Sequence, residues 1–575
     1  MSGLQVVDSA PTRTEAVRNV PASAIAMVVT AFLLYAYYDK TWYPPDEGNY
    51  ATVAERVLDG EVLNRQVQDI HPGYVTFVNA AALRLFGLDL LSLRYPLVLA
   101  SLVQAAAILL VFPPEAQWRA AVAAMGAAAL GAIQFLNPTA HWPCLALTTV
   151  LIALLARTRR SVGQLVAAGL LIGTIALFRQ LTGFFAGIGA LTYLMASPRD
   201  ADAVGSEAVL ARIVLTTMIA ALSAYLIRAT DVSGIALFGV WPVALLARLL
   251  FRPQAANRAV VALIGWIALG IAISATPLLA YHLLHGSLGG WANDVGPAAI
   301  ALTRLGFFQD TNFGAVVAQS LRQLVGGSGL PAAVNGLYWV VLSMLAVANG
   351  ALVHLRLTRS TATVISPLPV IAVCYAVVSA HFQIPLYLYF SAGLTLASIL
   401  WLAPAVSPAA PRLSSLAALG LASIAVVFHA GQPTSRSIHA VLRGDRYPVP
   451  NTSGLPHCSL KIDAEEAASY RKVMDVITAH TRDGESIFAV PSNAELYFLT
   501  QRRNPFRFYN TALGVRTDAD VEEVRQVMRE RPPRVVTFDP HDKYNTARSR
   551  QIMDDVRARY VLVGRVDPFE VYVLP

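Results

Sequence analysis

The feature that most constrains this chain is a series of uncharged apolar stretches, each close to the length that crosses a lipid bilayer. Residues 22–38, 213–227 and 259–280 are three examples. A helix needs about 20 such residues to span the hydrocarbon core. Only 14% of the residues are charged, whereas about a quarter are charged in a typical soluble domain. The sequence therefore predicts a polytopic α-helical membrane protein and excludes an ordinary soluble fold.

The basic residues are scattered over short loops between the apolar stretches, although the formal net charge is +8. This distribution is typical of cytoplasmic loops in membrane proteins and argues against a nucleic-acid partner. The N-terminal tail, residues 1–20, carries Arg13 and Arg18, and no clean cleavage site follows the first apolar stretch. We therefore expect a cytoplasmic tail followed by a retained signal anchor.

The arginine-rich loops also predict the topology, because positive residues stay on the cytoplasmic side. Thirteen spans fit between these loops within a transmembrane domain over residues 21–430, and the odd count places the C-terminal segment outside. The predicted spans are residues 22–39, 93–112, 120–136, 142–156, 162–178, 182–196, 213–229, 234–250, 259–284, 334–353, 363–380, 385–403 and 413–430.

Two long external loops interrupt the spans, near residues 40–92 and 285–333, which we call the first loop and the second loop. The first loop has an amphipathic pattern after residue 50, and we expect this helix to lie along the membrane interface. The proline-rich stretch 431–460 is predicted to be a linker. Residues 461–575 alternate helical and strand patterns, which predicts a small external α/β domain. The predicted helices are 464–480, 494–500, 518–530 and 549–559, and the strands 486–490, 535–538, 560–564 and 571–574.

Two adjacent carboxylates, Asp46 and Glu47, follow the first span within residues 43–50, YPPDEGNY. A carboxylate near low dielectric has a raised pKa, which suits a general base that takes a proton from a sugar hydroxyl. Asp46 is the candidate for this role. The residues also allow a structural interpretation, in which both acids stabilise the start of the helix that follows.

A second segment with chemical potential is residues 69–74, DIHPGY. Asp69 is either a functional carboxylate or the cap of a helix predicted at residues 74–86. His71 is either a solvated imidazole or a contact to phosphate. Asp46 and Asp69 have the oxygen ligands that a divalent cation prefers, but two ligands are too few to predict a metal site. The sequence predicts no cofactor with certainty, and binding of a divalent cation is an open alternative.

The order of these features resembles the first external loop of GT-C glycosyltransferases, closest to the protein mannosyltransferase and aminoarabinose transferase group. The resemblance is specific over about residues 20–200 and is architectural as far as about residue 430. The pattern departs at Gly73, where related proteins commonly have a second proline. Its elements are a span, Asp-Glu-Gly-x-Tyr, an amphipathic helix, Gly60, Asp69-x-His71-Pro72, a helix, Phe86-Gly87, and Arg94 at the start of the second span.

This resemblance implies a glycosyltransferase that takes a sugar from a polyprenyl-phosphate donor and inverts the anomeric carbon. The implied acceptor is a lipid, glycan or protein of the cell envelope, and the implied location is the inner membrane with a periplasmic active site. Asp46 matches the catalytic position of the group, with Glu47 as its neighbour and Asp69 as the second loop carboxylate. His71 and Tyr50 are expected to contact the substrate.

A lipid-phosphate donor also requires cations, because the leaving phosphate gains negative charge. Arg179, at the outer end of the fifth span, and Arg94, at the outer start of the second, are candidates to bind it. His381, at the outer end of the eleventh span, could bind phosphate when protonated or a sugar hydroxyl when neutral. The structural alternatives are arginines that snorkel to the interface and a histidine bonded internally.

The second loop contains a mixture of aromatic and charged residues suited to stacking on a sugar or lining a lipid groove. Their individual roles are not assigned. They are Trp291, Asp294, Arg304, Phe307, Phe308, Asp310 and Asn312.

Two other functional classes fit a chain with many spans. A secondary transporter usually has repeated halves and ionisable residues at mid-membrane depth, and neither is evident. A non-catalytic scaffold or receptor with an external binding domain would tolerate Asp46→Asn. The sequence has no P-loop, Rossmann or HExxH motif. Its three cysteines, Cys144, Cys374 and Cys458, give no disulfide framework or metal-binding spacing.

Overall fold

The computed structural model describes residues 13–157, 161–197, 208–252, 255–298, 300, 312–326, 329–359, 366–431 and 451–575. Up to residue 431 the described chain is almost entirely helical, and strands appear after residue 451. The helices of the bundle are Arg13–Tyr37, Tyr95–Val111, Gln117–Leu130, His141–Ala156, Val162–Phe178, Gln180–Ala196, Val209–Ala229, Val232–Leu250, Asn257–Leu284, Leu330–Arg359, Pro367–Tyr375, Tyr389–Leu402 and Ala410–Ile424.

Each of the thirteen predicted spans overlaps one of these helices. Seven helical segments in the described chain are long and apolar enough to cross a membrane, which confirms a multi-pass membrane protein. Other bundle helices are apolar but shorter, such as Val162–Phe178 and Gln180–Ala196, with 17 residues each. The exact count of thirteen spans therefore stays a prediction.

The outer face of the bundle presents large apolar side chains. More than half of each side chain is exposed at Phe32, Leu99, Leu110, Ile227 and Val261. A water-soluble protein rarely exposes apolar surface on this scale. Lipid chains cover such a surface in a membrane, so the exposed apolar side chains agree with the low fraction of charged residues.

Small residues allow a close crossing between helices Val162–Phe178 and Asn257–Leu284. A Cβ atom added at Gly169 would lie 2.1 Å from the carbonyl oxygen of Ile267, and one at Gly270 would lie 2.1 Å from that of Val166. Close backbone approach at small residues is a common source of packing energy between membrane helices. The glycines are therefore required by the crossing.

The two long loops are ordered by short helices in their described parts. In the first loop, α-helices Pro44–Leu58 and Tyr74–Phe86, here α2 and α3 after α1 (Arg13–Tyr37), precede a 3₁₀ helix at Leu90–Arg94. In the second loop, helix Leu288–Asn293 continues into a π-helical turn at Asp294–Ala298, and helix Phe313–Val325 follows. The predicted helix at residues 74–86 is confirmed.

The apolar face of α2 is buried, and its partner is the C-terminal domain. Ala51 and Ala54 are completely buried in a core that also contains Ile487 and Leu496 of the C-terminal domain. A Cβ atom at Gly48 would lie 2.1 Å from the backbone nitrogen of Glu495. The apolar face of α2 therefore packs directly on the domain, and its position along the membrane interface stays a prediction.

The C-terminal domain contains a two-stranded and a four-stranded sheet. Strands β1 (Asn451–Thr452) and β2 (Lys461–Ile462) pair antiparallel. The larger sheet has the order β3–β4–β6–β5, with β3 parallel to β4 and the other neighbours antiparallel. Its strands are β3 (Ile487–Val490), β4 (Val535–Phe538), β5 (Val561–Val566) and β6 (Phe569–Val573), and its helices are Ala464–His480, Glu495–Thr500, Thr511–Gly514, Asp518–Glu530 and Ala547–Arg559.

The predicted α/β pattern of this domain is confirmed, and the helices at residues 464–480 and 518–530 have the predicted bounds. Leu455, Cys458 and Leu460, which lie in the predicted linker, are buried in the core shared with the first loop. The domain therefore shares its core with α2, and residues of the predicted linker belong to that core.

Candidate active site

A cavity of about 710 Å³ lies where the first loop, the helix bundle and the C-terminal domain meet. Small-molecule sites usually have volumes of about 300–1,000 Å³. Six of the predicted site residues line this cavity, and Glu47 and Arg94 do not. The six are Asp46, Tyr50, Asp69, His71, Arg179 and His381.

Asp46 lies in the first turn of α2 and faces the cavity. Asn137 Nδ2 donates a hydrogen bond of 2.5 Å to Asp46 Oδ2. The pKa of Asp46 is raised to about 7, chiefly by burial and then by the neighbouring Glu47 carboxylate. The Asn137 amide and the positive charges of Lys543 and Arg179 oppose this rise. A carboxylate with such a pKa can accept a proton near neutral pH.

Glu47 points away from the cavity and forms a buried ion pair with Arg94. The two side chains are 0% and 1% exposed, and Glu47 Oε2 also accepts a hydrogen bond of 2.8 Å from the Tyr43 backbone. Successive residues of a helix point about 100° apart, and here Asp46 lines the cavity while Glu47 is turned toward Arg94. Phosphate binding by Arg94 and direct catalysis by Glu47 therefore do not fit their positions.

Asp69 is 2% exposed and holds His71 in place. Asp69 Oδ1 accepts hydrogen bonds from the His71 backbone nitrogen at 2.8 Å and pairs with His71 Nδ1 at 2.9 Å. The Thr76 hydroxyl donates to the other carboxylate oxygen. His71 Nε2 lies 3.1 Å from the Tyr50 hydroxyl, which lies 3.4 Å from Thr139 Oγ1. These side chains form a continuous polar wall of the cavity.

The residue that precedes α3 is Gly73, so the alternative of Asp69 as the cap of this helix is wrong. Gly73 has a φ of 131°, a conformation that side chains disfavour. Proline fixes φ near −65° and could not adopt it. The departure at Gly73 from the related pattern thus has a conformational cause.

Arg179 lies between two helices of the bundle, ending Val162–Phe178 and preceding Gln180–Ala196. Its guanidinium carbon lies 6.0 Å from the ring centroids of Phe382 and Tyr387. In the described part of the chain no carboxylate lies within ion-pair distance of it. Arg228, at the end of helix Val209–Ala229, also lines the cavity and is exposed. Arg228 was not predicted, although the same signal, an arginine closing an apolar stretch, marks Arg179.

His381 lies one residue beyond the helical segment 367–380 and lines the cavity. Its Nδ1 lies 2.8 Å from the Tyr225 hydroxyl. Burial, and then the positive charge of Arg179, lower the pKa of His381 well below its usual value. The imidazole is therefore neutral near pH 7. It fits a sugar-hydroxyl partner or an internally bonded histidine, and a cationic phosphate ligand does not fit.

The C-terminal domain contributes directly to the site, which the sequence did not indicate. Tyr509 and Leu513 line the cavity. The Tyr544 hydroxyl lies 2.7 Å from the Tyr43 hydroxyl, three residues before Asp46. Only the folded contact between distant segments brings these residues together, so no local sequence signal could have identified them.

Part of the second loop also reaches the cavity, through Val295, Gly296 and Ile300. Trp291 Nε1 donates a hydrogen bond of 2.8 Å to the Pro72 carbonyl oxygen. Asn312 caps helix Phe313–Val325 by accepting a bond of 2.6 Å from Ala315. Four other residues singled out in this loop lie outside the described residues, namely Arg304, Phe307, Phe308 and Asp310.

Among the described residues, no group of three or more histidine, cysteine, aspartate or glutamate side chains could hold a metal ion. Asp46 and Asp69 line the same cavity but make separate hydrogen bonds.

No family model matches this chain, and no curated protein matches it significantly. Among solved structures, it is similar to ArnT from Cupriavidus metallidurans bound to undecaprenyl phosphate, with 14% identity, 98% coverage of both chains and a TM-score of 0.47. The apo state of the same protein gives a TM-score of 0.40 at 14% identity, covering 97% of this chain and 98% of that one.

A third structure, the oligosaccharyltransferase of Archaeoglobus fulgidus tethered with an acceptor peptide, gives 12% identity and a TM-score of 0.42. The match covers 91% of this chain and 69% of that chain. All three TM-scores are below 0.5.

Proposed function

We propose that this protein is a GT-C type membrane glycosyltransferase that transfers a sugar from a polyprenyl-phosphate donor to an acceptor at the outer face of the membrane. The single observation that carries the proposal is the shared cavity of Asp46 and Arg179. It combines a carboxylate whose pKa is raised to about 7 with an arginine that has no carboxylate within ion-pair distance among the described residues. The first can accept a proton, and the second can receive a phosphate.

In this proposal, Arg179 binds the donor phosphate, and Arg228 at the cavity edge adds positive charge. Guanidinium groups bind phosphate through charge-assisted hydrogen bonds. Leu181 and Phe382 give the same cavity an apolar portion, which suits the first part of a polyprenyl chain. Arg94 is not retained as a phosphate ligand, because its ion pair with Glu47 is fully buried.

The proposed reaction is an inverting displacement. Asp46 takes the proton of the acceptor hydroxyl, and the acceptor oxygen forms a bond to the anomeric carbon. The bond between that carbon and the phosphate oxygen breaks, and the polyprenyl phosphate leaves with the electron pair. Arg179 stabilises the charge that develops on the leaving phosphate.

Asp69, His71 and Tyr50 have a supporting role in this mechanism. The Asp69 carboxylate orients the His71 ring, and His71 and Tyr50 present polar groups to the cavity. Neutral His381, bonded to Tyr225, is suited to a sugar hydroxyl. These groups are proposed to hold the sugar while Asp46 and Arg179 act on the reacting atoms.

The test uses purified wild-type protein in lipid nanodiscs with undecaprenyl-phosphate donors that carry glucose, mannose, galactose or arabinose. Acceptors come from a membrane extract of a strain that lacks the gene, and release of undecaprenyl phosphate is measured. Release that requires the extract, together with donor accumulation in the deletion strain, is expected. No release from any donor and an unchanged set of lipid-linked sugars would contradict a glycosyltransferase.

The proposed side of the membrane is tested separately. A reporter that is active only outside the cytoplasm, fused after Pro575, should be active. The same reporter inserted at residue 159, in a loop predicted to be cytoplasmic, should be inactive. The opposite pattern would place the cavity on the cytoplasmic side.

A further inference from the structure

Asp294, in the second loop, is completely buried, at 0% exposure. Two amides donate to its carboxylate, Asn64 Nδ2 at 3.0 Å and Gln68 Nε2 at 3.4 Å. Two arginines of the C-terminal domain also reach it, Arg507 at 3.4 Å and Arg516 at 3.6 Å. A single carboxylate thus joins three segments that are distant in sequence.

On one side, Asn64 connects the Asp294 carboxylate to the wall of the cavity. Asn64 Nδ2 also donates a bond of 2.7 Å to the Asp69 carbonyl oxygen. Asp294 is therefore linked by one shared amide to the residue that orients His71. Asn64 has a φ of 59°, which asparagine tolerates better than most residues because its side chain bonds locally.

On the other side, the two residues that follow Asp294 in the chain connect it to the cavity. Val295 and Gly296 line the cavity, and the Val295 carbonyl oxygen accepts a bond of 2.9 Å from Gln180. Gln180 is the neighbour of Arg179 and also lines the cavity. The position of Asp294 therefore affects both the Asp69 wall and the wall beside Arg179.

Packing around Asp294 leaves little room for the two loops to shift. A Cβ atom at Gly290 would lie 2.0 Å from the carbonyl oxygen of Asn64. The hydrogen bond from Trp291 to the Pro72 carbonyl oxygen joins the same two loops two residues before α3 begins at Tyr74. A displacement of Asp294 would therefore be transmitted to the cavity.

We propose that Asp294 is a positioning residue for the transfer reaction: it holds Asp69 and His71, through Asn64, in the geometry that the sugar requires. This inference rests on the proposed function. A displacement of about 1 Å at a reacting group can cost about a hundredfold in rate. A residue that acts only by attaching the domain would affect stability and leave turnover of the folded protein unchanged.

Asp89 provides a matched control, because it also joins the first loop to the C-terminal region through its carboxylate. It accepts bonds from the Ser459 backbone nitrogen at 3.1 Å and hydroxyl at 2.8 Å. Asp89 and Ser459 do not line the cavity. Asp89→Asn therefore weakens a more exposed contact between the first loop and the C-terminal region without altering the Asp69 wall.

The experiment compares Asp294→Asn, Asn64→Gly and Asp89→Asn in nanodiscs with the donor that the wild type uses from the panel above. We expect kcat to fall about ten- to a hundredfold in the first two variants. Affinity for undecaprenyl phosphate itself, measured without acceptor, should stay within twofold of wild type in Asn64→Gly, because Asn64 bonds to the Asp69 side of the cavity and not to the wall beside Arg179. Asp89→Asn should keep wild-type kcat.

Turnover within twofold of wild type in both Asp294→Asn and Asn64→Gly would overturn the inference. If Asp294→Asn does not fold, the triple variant Asp294→Asn, Arg507→Gln, Arg516→Gln also removes the two arginine charges that the Asp294 carboxylate contacts. Slow turnover by the folded triple variant supports positioning, and wild-type turnover overturns it.

A readout that needs no activity separates this inference from the proposed function. The ¹⁵N resonance of Nδ1 in selectively labelled His71 reports its bond to Asp69. It should shift in Asp294→Asn and stay unchanged in Asp89→Asn, whether or not any donor is used. An unchanged resonance in Asp294→Asn overturns the inference even if the glycosyltransferase function holds.

Discussion

At the scale of single residues, the central feature is the balance of interactions that sets the pKa of Asp46. Burial and Glu47 raise it, and the Asn137 amide, Lys543 and Arg179 oppose the rise. A general base must be ionised, so activity should fall about tenfold per pH unit below the pKa of Asp46, near 7. The acidic limb of kcat/KM therefore reports this one carboxylate.

Asn137→Ala removes the hydrogen bond of 2.5 Å to Asp46. This bond favours the ionised carboxylate, so its loss should raise the pKa of Asp46 and move the acidic limb to higher pH. The measurement is kcat/KM across pH for the variant and the wild type. A limb at the wild-type pH, or at lower pH, would show that Asn137 does not lower the pKa of Asp46.

Arg179→Gln removes the charge proposed to receive the donor phosphate. Hydrogen bonds to charged groups contribute about 1.5–3 kcal/mol, so the KM for the donor should rise about tenfold or more. Arg212→Gln is the matched control and should have wild-type KM. Arg212 lies near the start of helix Val209–Ala229, whereas Arg228 lies near its end. An unchanged KM in Arg179→Gln would remove Arg179 from the donor site.

At the scale of elements, the adjacent acids of α2 have different roles because the helix turns between them. Asp46 faces the cavity, and Glu47 faces Arg94 in the protein interior. The sequence predicts the helix and its acidic first turn from local pattern. It cannot predict which acid faces the cavity, because that depends on how α2 packs between the bundle and the C-terminal domain.

Glu47→Gln should leave the Arg94 charge buried without its partner. Loss of one member of a buried ion pair costs about 3–5 kcal/mol, so the folded fraction after heating should fall clearly below that of wild type. The double variant Glu47→Gln, Arg94→Met removes both charges and should recover most of the loss. The measurement is the amount of monodisperse protein by fluorescence-detected gel filtration after a temperature series. Equal recovery of wild type and Glu47→Gln would contradict a structural role for the pair.

The elements themselves were largely predictable. Helices at residues 464–480 and 518–530 follow from the period of their apolar residues, and β4 from a short run of β-branched and aromatic residues. Contacts between distant segments were not predictable. For example, the Thr52 hydroxyl donates a hydrogen bond to the Ala494 carbonyl oxygen, and nothing in either local sequence indicates this contact. The contact between the apolar face of α2 and the C-terminal domain could not be predicted for this reason.

At the scale of the whole molecule, the C-terminal domain belongs to the site instead of standing apart from it. It shares a core with α2, lines the cavity through Tyr509, and adds the charge of Lys543 to the surroundings of Asp46. A domain placed in this way can alter the pKa of Asp46.

Lys543→Gln tests this link between the domain and the base. Loss of the positive charge should raise the pKa of Asp46, so the acidic limb of kcat/KM should move to higher pH while the rate at high pH stays near wild type. Lys472→Gln, on helix Ala464–His480, is a control that removes a lysine of the same domain. An identical pH profile for Lys543→Gln and wild type would contradict electrostatic coupling between the domain and Asp46.

The most direct test of the central claim is single-turnover transfer by purified Asp46→Asn protein, measured from about pH 5 to 9 beside wild type and Asp59→Asn. Asp59 follows α2 and is exposed outside the cavity, so its variant controls for loss of a carboxylate. Loss of a general base costs about a hundredfold to ten-thousandfold. We predict a loss of this size in Asp46→Asn, without the acidic limb near pH 7 that the wild type shows. Transfer by Asp46→Asn within a few-fold of wild type, with the same limb, would contradict the assignment of Asp46 as the base.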